Sequence, residues 1–216
     1  MLTKPDVVVI ASGAGPSLPL PDAATVIAAD GGLDRALALG VEVDVVIGDL
    51  DSVSADALAA AGDVGTRIVR HPVAKDATDL ELALDEAVLL GARRILVVAS
   101  ADGRLDHLLA SLLLLGSERY AELEVDALVG EALVHVVQGQ RTLTGAAGEI
   151  VTLLAPAGPA TGVTTTGLEY PLAGETLQPG ATRGVSNVFT GAQAAVSVVS
   201  GVLFAVRPDW SKGASG

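Results

Sequence analysis

The segment Gly48-Asp49-Leu50-Asp51-Ser52 carries two carboxylates two residues apart, directly after the mostly apolar residues 43–47. That run reads as a buried strand, and a glycine at its end lets the chain leave a sheet sharply. If the backbone stays extended through Leu50, both carboxylates point to the same side. Such a pair at the carboxyl end of a strand is a seat for Mg²⁺, which usually arrives with phosphates. Asp49 and Ser52 also suit a plain turn and helix cap.

Other polar groups sit at comparable places. Asp30-Gly31-Gly32 follows a strand over residues 25–29; Asp30 is either a helix-start acid or a second strand-end carboxylate. In Lys75-Asp76-Ala77-Thr78-Asp79-Leu80-Glu81, the spacing of Thr78 and Glu81 matches a capping box. Capping accounts only partly for Asp79, and for neither Lys75 nor Asp76. Gly103-Arg104-Leu105-Asp106-His107 follows a strand over 95–99. Arg104 is either a solvated loop charge or a bidentate phosphate ligand near a helix start; His107 is either a packed histidine or a general base. Ser12-Gly13-Ala14-Gly15-Pro16 is a flexible turn that matches neither GxGxxG nor a P-loop.

The elements that must hold these groups alternate. Strands over 6–11, 25–29, 43–47, 66–70 and 95–99 are interleaved with helices over 33–39, 55–61, 79–90 and 108–115, the pattern of a parallel α/β sheet. Ligands of such sheets bind beyond the carboxyl ends of the strands. Asp30, Asp49, Asp51, Asp79 and Arg104 all follow strands, so they are expected to converge on one rim and support metal-assisted phosphoryl chemistry. Later segments over 133–137, 149–155, 162–166 and two runs within 192–206 read as an antiparallel β-sandwich. Gly167-Leu168-Glu169-Tyr170-Pro171-Leu172 and Gly184-Val185-Ser186-Asn187 lie in its loops, where Ser186 and Asn187 suit turn closure.

Composition agrees with a division. Of the aspartates, 14 of 16 fall in the first 120 residues, so acid chemistry belongs to the N-terminal part. The expected organisation is an α/β domain over 1–122, a β-sandwich over 123–210 and a loose tail over 211–216. A net charge of −13 argues against nucleic acid as a partner, and the absence of cysteine excludes disulfides and zinc thiolates. The longest apolar patch is too short to span a bilayer, and no secretory pattern is evident, so a cytoplasmic protein is expected.

With these pieces assembled, the sequence resembles the thiamine pyrophosphokinase family, through Ala29-Asp30-Gly31-Gly32, Gly48-Asp49-Leu50-Asp51-Ser52, Lys75 to Glu81, Gly103 to His107, Gly167 to Leu172 and Gly184 to Asn187. The resemblance implies a nucleotide-binding α/β (Rossmann-like) domain followed by a β-sandwich. It implies a homodimer with the active site shared between subunits. The implied reaction passes the diphosphate of ATP to the thiamine hydroxyl, releasing AMP. By that resemblance Asp49, Asp51, Asp79 and Asp30 hold Mg²⁺, and Asp51 or Asp76 accepts the hydroxyl proton. Gly31, Lys75, Thr78, Arg104, Asp106 and His107 form the ATP site. Ser186 and Asn187 contact thiamine, with Trp210, Phe189 or Tyr170 to stack on its pyrimidine, Trp210 foremost. Glu169 stands where the family often has a basic residue, and Val188 where it often has an acidic one. A diphosphokinase for a pterin-like hydroxymethyl heterocycle and a silent nucleotide sensor are the competing functions.

Overall fold

The computed structural model describes residues 4–13, 20–102 and 104–210. The turn at 14–16, Gly103 and the tail over 211–216 lie outside the described residues. The described residues form two compact units, one within residues 4–111 together with 125–130, the other of residues 112–124 with 131–210.

The first unit contains β1 (Val7–Ile10), β2 (Thr25–Ala29), β3 (Val45–Gly48), β4 (Arg67–Arg70), β5 (Arg94–Ala99) and β6 (Glu124–Val129), in the spatial order β6-β5-β1-β2-β3-β4. The pairings from β5 through β1, β2 and β3 to β4 are all parallel. Every residue of β1 and β3 is buried, as strands covered on both faces require; β4, at the edge, is largely exposed. The chain order reverses at β1, whose neighbours are β2 and β5, and this switch point opens a crevice beyond the strand ends.

The helices are α1 (Gly32–Ala38), α2 (Ala55–Asp63), α3 (Asp79–Leu89) and α4 (Leu105–Leu115). Thr78 is the N-cap of α3, its Oγ1 accepting from the Glu81 backbone N–H at 3.2 Å, as the capping spacing predicts. Ser54 caps α2 in the same manner and is itself held by Asp34. Gly32 starts α1 where an added Cβ would lie 2.0 Å from the Ile10 carbonyl oxygen, so only glycine lets this helix approach β1. α4 begins three residues earlier than predicted. Its only buried residue is Leu115, while Leu105, Leu109 and Leu113, four apart and therefore on one face, are exposed.

The second unit contains β7 (Ala132–Val137), β8 (Gln140–Thr144), β9 (Ile150–Leu154), β10 (Ala160–Thr166), β11 (Ala173–Leu177), β12 (Asn187–Val188), β13 (Gln193–Ser197) and β14 (Leu203–Arg207). Here the sheets run β12-β9-β14-β7 and β11-β10-β13-β8, with antiparallel pairings. Val151, Leu153, Leu203 and Ala205 from one sheet and Leu143, Val163, Val196 and Leu177 from the other share a single core. This is the expected sandwich. Sequence reading misses β6, which falls where the domain boundary was expected, and also β8, β11 and β12; β8 and β11 each bury a single residue and β12 is two residues long.

Candidate active site

Parallel pairing of β2 with β3 sets Ala29 beside Ile47, so Asp30 and Asp49 emerge next to each other at the strand ends. The Asp30 N–H donates to the Ile47 carbonyl at 2.9 Å, which ties the two exits together. Asp79, the first residue of α3, completes a group: one oxygen from each of Asp30, Asp49 and Asp79 lies within 4.8 Å of the others. Asp30 Oδ1 is buried and has no hydrogen-bond partner. Three converging carboxylates, one of them with a buried and unsatisfied oxygen, are a donor set that suits a hard divalent cation.

Asp51 is not in that group. The extended path expected through Leu50 does not form: Leu50 has φ 64 and its side chain is buried, so the chain turns between the two carboxylates. Asp51 is exposed, and its Oδ1 accepts from the Ser52 hydroxyl at 3.0 Å. Asp76 is also exposed, and neither it nor Asp51 lines the cavity described below.

Lys75 sits against the three carboxylates. Its Nζ is 2.9 Å from Asp49 Oδ2, in a hydrogen bond, and 2.9 Å from Asp79 Oδ1, in an ion pair that lacks hydrogen-bond geometry. The Lys75 hydrogen bond holds the Asp49 carboxyl below its ordinary value. Burial would push the Lys75 ammonium down, but Asp49 and Asp79 together raise it.

Asp30, Asp79 and Lys75 border a cavity of about 700 Å³ built wholly from the first unit, with Asp49 off the lining. Asp30, Lys75, Thr78 and Asp79 line one part of it; Ser100, Arg104, Asp106 and His107 line another. Arg104 donates to both oxygens of Asp106, from Nε at 3.2 Å and from Nη2 at 2.6 Å. That pairing brings the Asp106 carboxyl down to about 2. Gly31 is not among the lining residues, but a Cβ there would stand 3.0 Å from the Ser12 hydroxyl, which does line it.

Arg35 was not singled out by sequence. It is buried on α1, and its Nη1 donates to the carbonyls of Ala11, at 3.0 Å, and Val98, at 3.1 Å. The Ala11 N–H already bonds Val98 O at 2.9 Å where β1 and β5 part. Arg35 therefore caps the first carbonyl beyond the ladder, beneath the residues that open the cavity. A cation in an otherwise apolar helix face was the available signal.

In the second unit, Ser186 is exposed with φ 54, and its N–H donates to Thr152 Oγ1 at 3.0 Å. Asn187 departs from expectation. It is only 2% exposed; its Oδ1 accepts from the N–H groups of Tyr170 and Val188, and its Nδ2 donates to the Tyr170 carbonyl at 2.7 Å. Its carboxamide is thus used to hold the Gly167 to Leu172 loop, not turned outward to a ligand. Of the three rings, Phe189 is buried beneath the Arg207 guanidinium, which Glu149 anchors, so it has no free face. Trp210 is half-buried and Tyr170 is exposed. The three described non-glycine residues with positive φ are Asp30, Leu50 and Ser186, all within the motif loops. Strain of this kind concentrates where a fold must present groups rather than bury them.

The family profile "Thiamin pyrophosphokinase, catalytic domain" matches residues 19–126, and "Thiamin pyrophosphokinase, vitamin B1 binding domain" matches residues 135–203. No curated protein sequence matches the chain. Among solved structures, a thiamine pyrophosphokinase from Bacillus subtilis is similar at 22% identity and a TM-score of 0.77, covering 93% of this chain and 98% of that one. One from Geobacillus thermodenitrificans is 27% identical with a TM-score of 0.75, over 93% and 96%. A thiamin pyrophosphokinase from Candida albicans is 15% identical with a TM-score of 0.72, over 93% and 88%.

Proposed function

Since the chain belongs to the thiamin pyrophosphokinase family and is a thiamine diphosphokinase, we propose that its donor is ATP, that Mg²⁺ is required, and that AMP is the second product. The observation that carries this reading is the meeting of Asp30, Asp49 and Asp79 beside Lys75, with Asp30, Asp79 and Lys75 at the wall of one cavity. Asp30, Asp49 and Asp79 hold the Mg²⁺, which supplies charge neutralisation to the phosphates when bound. Lys75 and Arg104 offset charge on the phosphate oxygens. Thr78 keeps the start of α3 in place, and Asp106 orients Arg104. Gly31 gives the cavity room beside Ser12, and His107 lines it.

The thiamine hydroxyl attacks the β-phosphorus of ATP and the bond to the AMP oxygen breaks. Positioning and electrostatics do most of the work in such a transfer. The proton leaves to a carboxylate outside the trio, Asp51 or Asp76. Both are exposed, and Asp51 follows directly on the Asp49 turn.

Residues 1–122 form the nucleotide domain in this reading, and residues 123–210 the thiamine domain, with 211–216 a tail. Ser186 contacts thiamine, and Asn187 supports that contact through the loop that it clamps. Tyr170, with its ring exposed, joins Trp210 as the stacking group. The exposed Leu105, Leu109 and Leu113 face supports a homodimer with a shared active site. No helix of the described residues is long and apolar enough to cross a membrane; the enzyme works in the cytoplasm, where ATP is available.

The test mixes protein, ATP, Mg²⁺ and thiamine and follows AMP and thiamine diphosphate together. Equimolar appearance of both, abolished by chelation, is the expected result; ADP in place of AMP would overturn the reaction assigned. Asp49→Asn should lose both metal binding and turnover. Asp51→Asn and Asp76→Asn should both keep metal binding, and the one that loses turnover identifies the proton acceptor.

A further inference from the structure

The three carboxylates do not stand without a cation. Lys75 Nζ is 2.9 Å from an oxygen of Asp49 and 2.9 Å from one of Asp79, on a side chain only 14% exposed. We propose that Lys75 is a built-in counter-ion that the divalent metal must displace, and that displacement hands its ammonium to the bound phosphates. This rests on the reading that Asp30, Asp49 and Asp79 are the metal site.

Three carboxylate oxygens within 4.8 Å of one another repel strongly in a partly buried setting. One ammonium relieves part of that repulsion and leaves the group net negative. Its placement is also incomplete: it makes a directed hydrogen bond to Asp49, only an undirected contact to Asp79, and leaves the buried Asp30 Oδ1 unpaired. The seat therefore holds a single charge while offering more donors than that charge can use.

The positions of the two cations compete. Lys75 Nζ already stands against two of the three carboxylates that would hold the metal, Asp49 and Asp79. Two like charges would then share one pair of carboxylates, and the more highly charged ion wins the exchange. Lys75 has somewhere to go, because it already lines the cavity and is attached through the segment between β4 and α3. An extended, flexible stem with a compact charge suits such a move better than a rigid guanidinium fork. The protein thus keeps its acidic rim folded before metal arrives, and the same lysine becomes a phosphate contact afterwards.

The experiment titrates Mn²⁺ into full-length protein without nucleotide or thiamine, by calorimetry, comparing the parent with Lys75→Met. Removing a competing charge should tighten Mn²⁺ binding by roughly tenfold or more. It should also enlarge the metal-induced rise in Tm, since the metal-free variant keeps its carboxylates unneutralised. Lys75→Arg should stay near the parent's affinity. Adding Asp49→Asn to Lys75→Met should remove the gain, which ties it to this site. Equal or weaker Mn²⁺ binding by Lys75→Met would overturn the displacement while leaving the metal site intact. If neither parent nor Lys75→Met binds Mn²⁺, the metal site itself fails and the displacement falls with it.

Discussion

A Cβ on Gly48 would stand 2.8 Å from Asp79 Oδ1 and 3.2 Å from the Cβ of Asp30. With φ 148, Gly48 also has a backbone that side chains rarely adopt. Glycine at the end of β3 is therefore what allows two carboxylates from other elements to close over the strand exit. Gly48→Ala should cost about 1–3 kcal/mol of stability through backbone strain. Turnover should fall further, by roughly a hundredfold, because Asp79 must shift. Melting curves and steady-state rates check this; a folded variant with parental turnover would show that the trio tolerates the shift.

Arg35 and Ala11 make a related point on the other side of β1. The guanidinium caps the Ala11 carbonyl where β1 and β5 separate, and two of its nitrogens, Nε and Nη2, have no partner. Burial pushes its basicity down. Arg35→Met should orphan that carbonyl, at a cost of about 1–3 kcal/mol. Nucleotide affinity should fall with thiamine affinity unchanged, since Ala11 lines the cavity. Urea unfolding and separate binding titrations read the two effects.

Asn187 holds Tyr170 by both of its backbone groups. Asn187→Ala should destabilise the sandwich by about 1–3 kcal/mol, because partly buried backbone donors and acceptors lose their partner. Thiamine affinity should drop while nucleotide affinity in the first unit persists. Loss of both affinities in parallel would mean that the variant is simply unfolded. Asn187→Asp, which keeps the acceptor and loses the donor, should fall between.

The Arg104–Asp106 pair sets a pH response. The folded carboxyl titrates at about 2, below its ordinary 3.8. The pair's contribution is therefore complete above the unfolded value and fades as pH falls from roughly 4 through about 2. Carboxyl-carbon NMR should locate that titration, and Arg104→Gln should return it toward the ordinary range. Bound nucleotide should also move it upward, because phosphates draw the guanidinium away. An unchanged Asp106 titration in the nucleotide complex would count against Arg104 as a phosphate ligand.

Much of this was legible in the sequence, for identifiable reasons. Strand and helix periods marked the βα alternation, and the Thr78–Glu81 spacing marked the start of α3, because local hydrogen bonding decides both. The strand-end positions of Asp30 and Asp49 followed once a parallel sheet was inferred. Asp51 was different: a side chain's direction depends on the torsion at Leu50, and its positive φ accompanies the burial of that leucine, which tertiary packing decides.

The same limit applies to Asn187, Arg35 and Lys75. Sequence supplied their chemical types, which fix what each can donate or accept. Their partners lie 17 to 63 residues away for Asn187–Tyr170, Arg35–Ala11, Lys75–Asp49 and Arg35–Val98. Local propensity carries no information about which distant group a polar atom will meet. The sequence by itself determined which groups reach the strand ends; only tertiary packing decided which of them share one charge, because such contacts are set by how the strands register and where α3 lands on them.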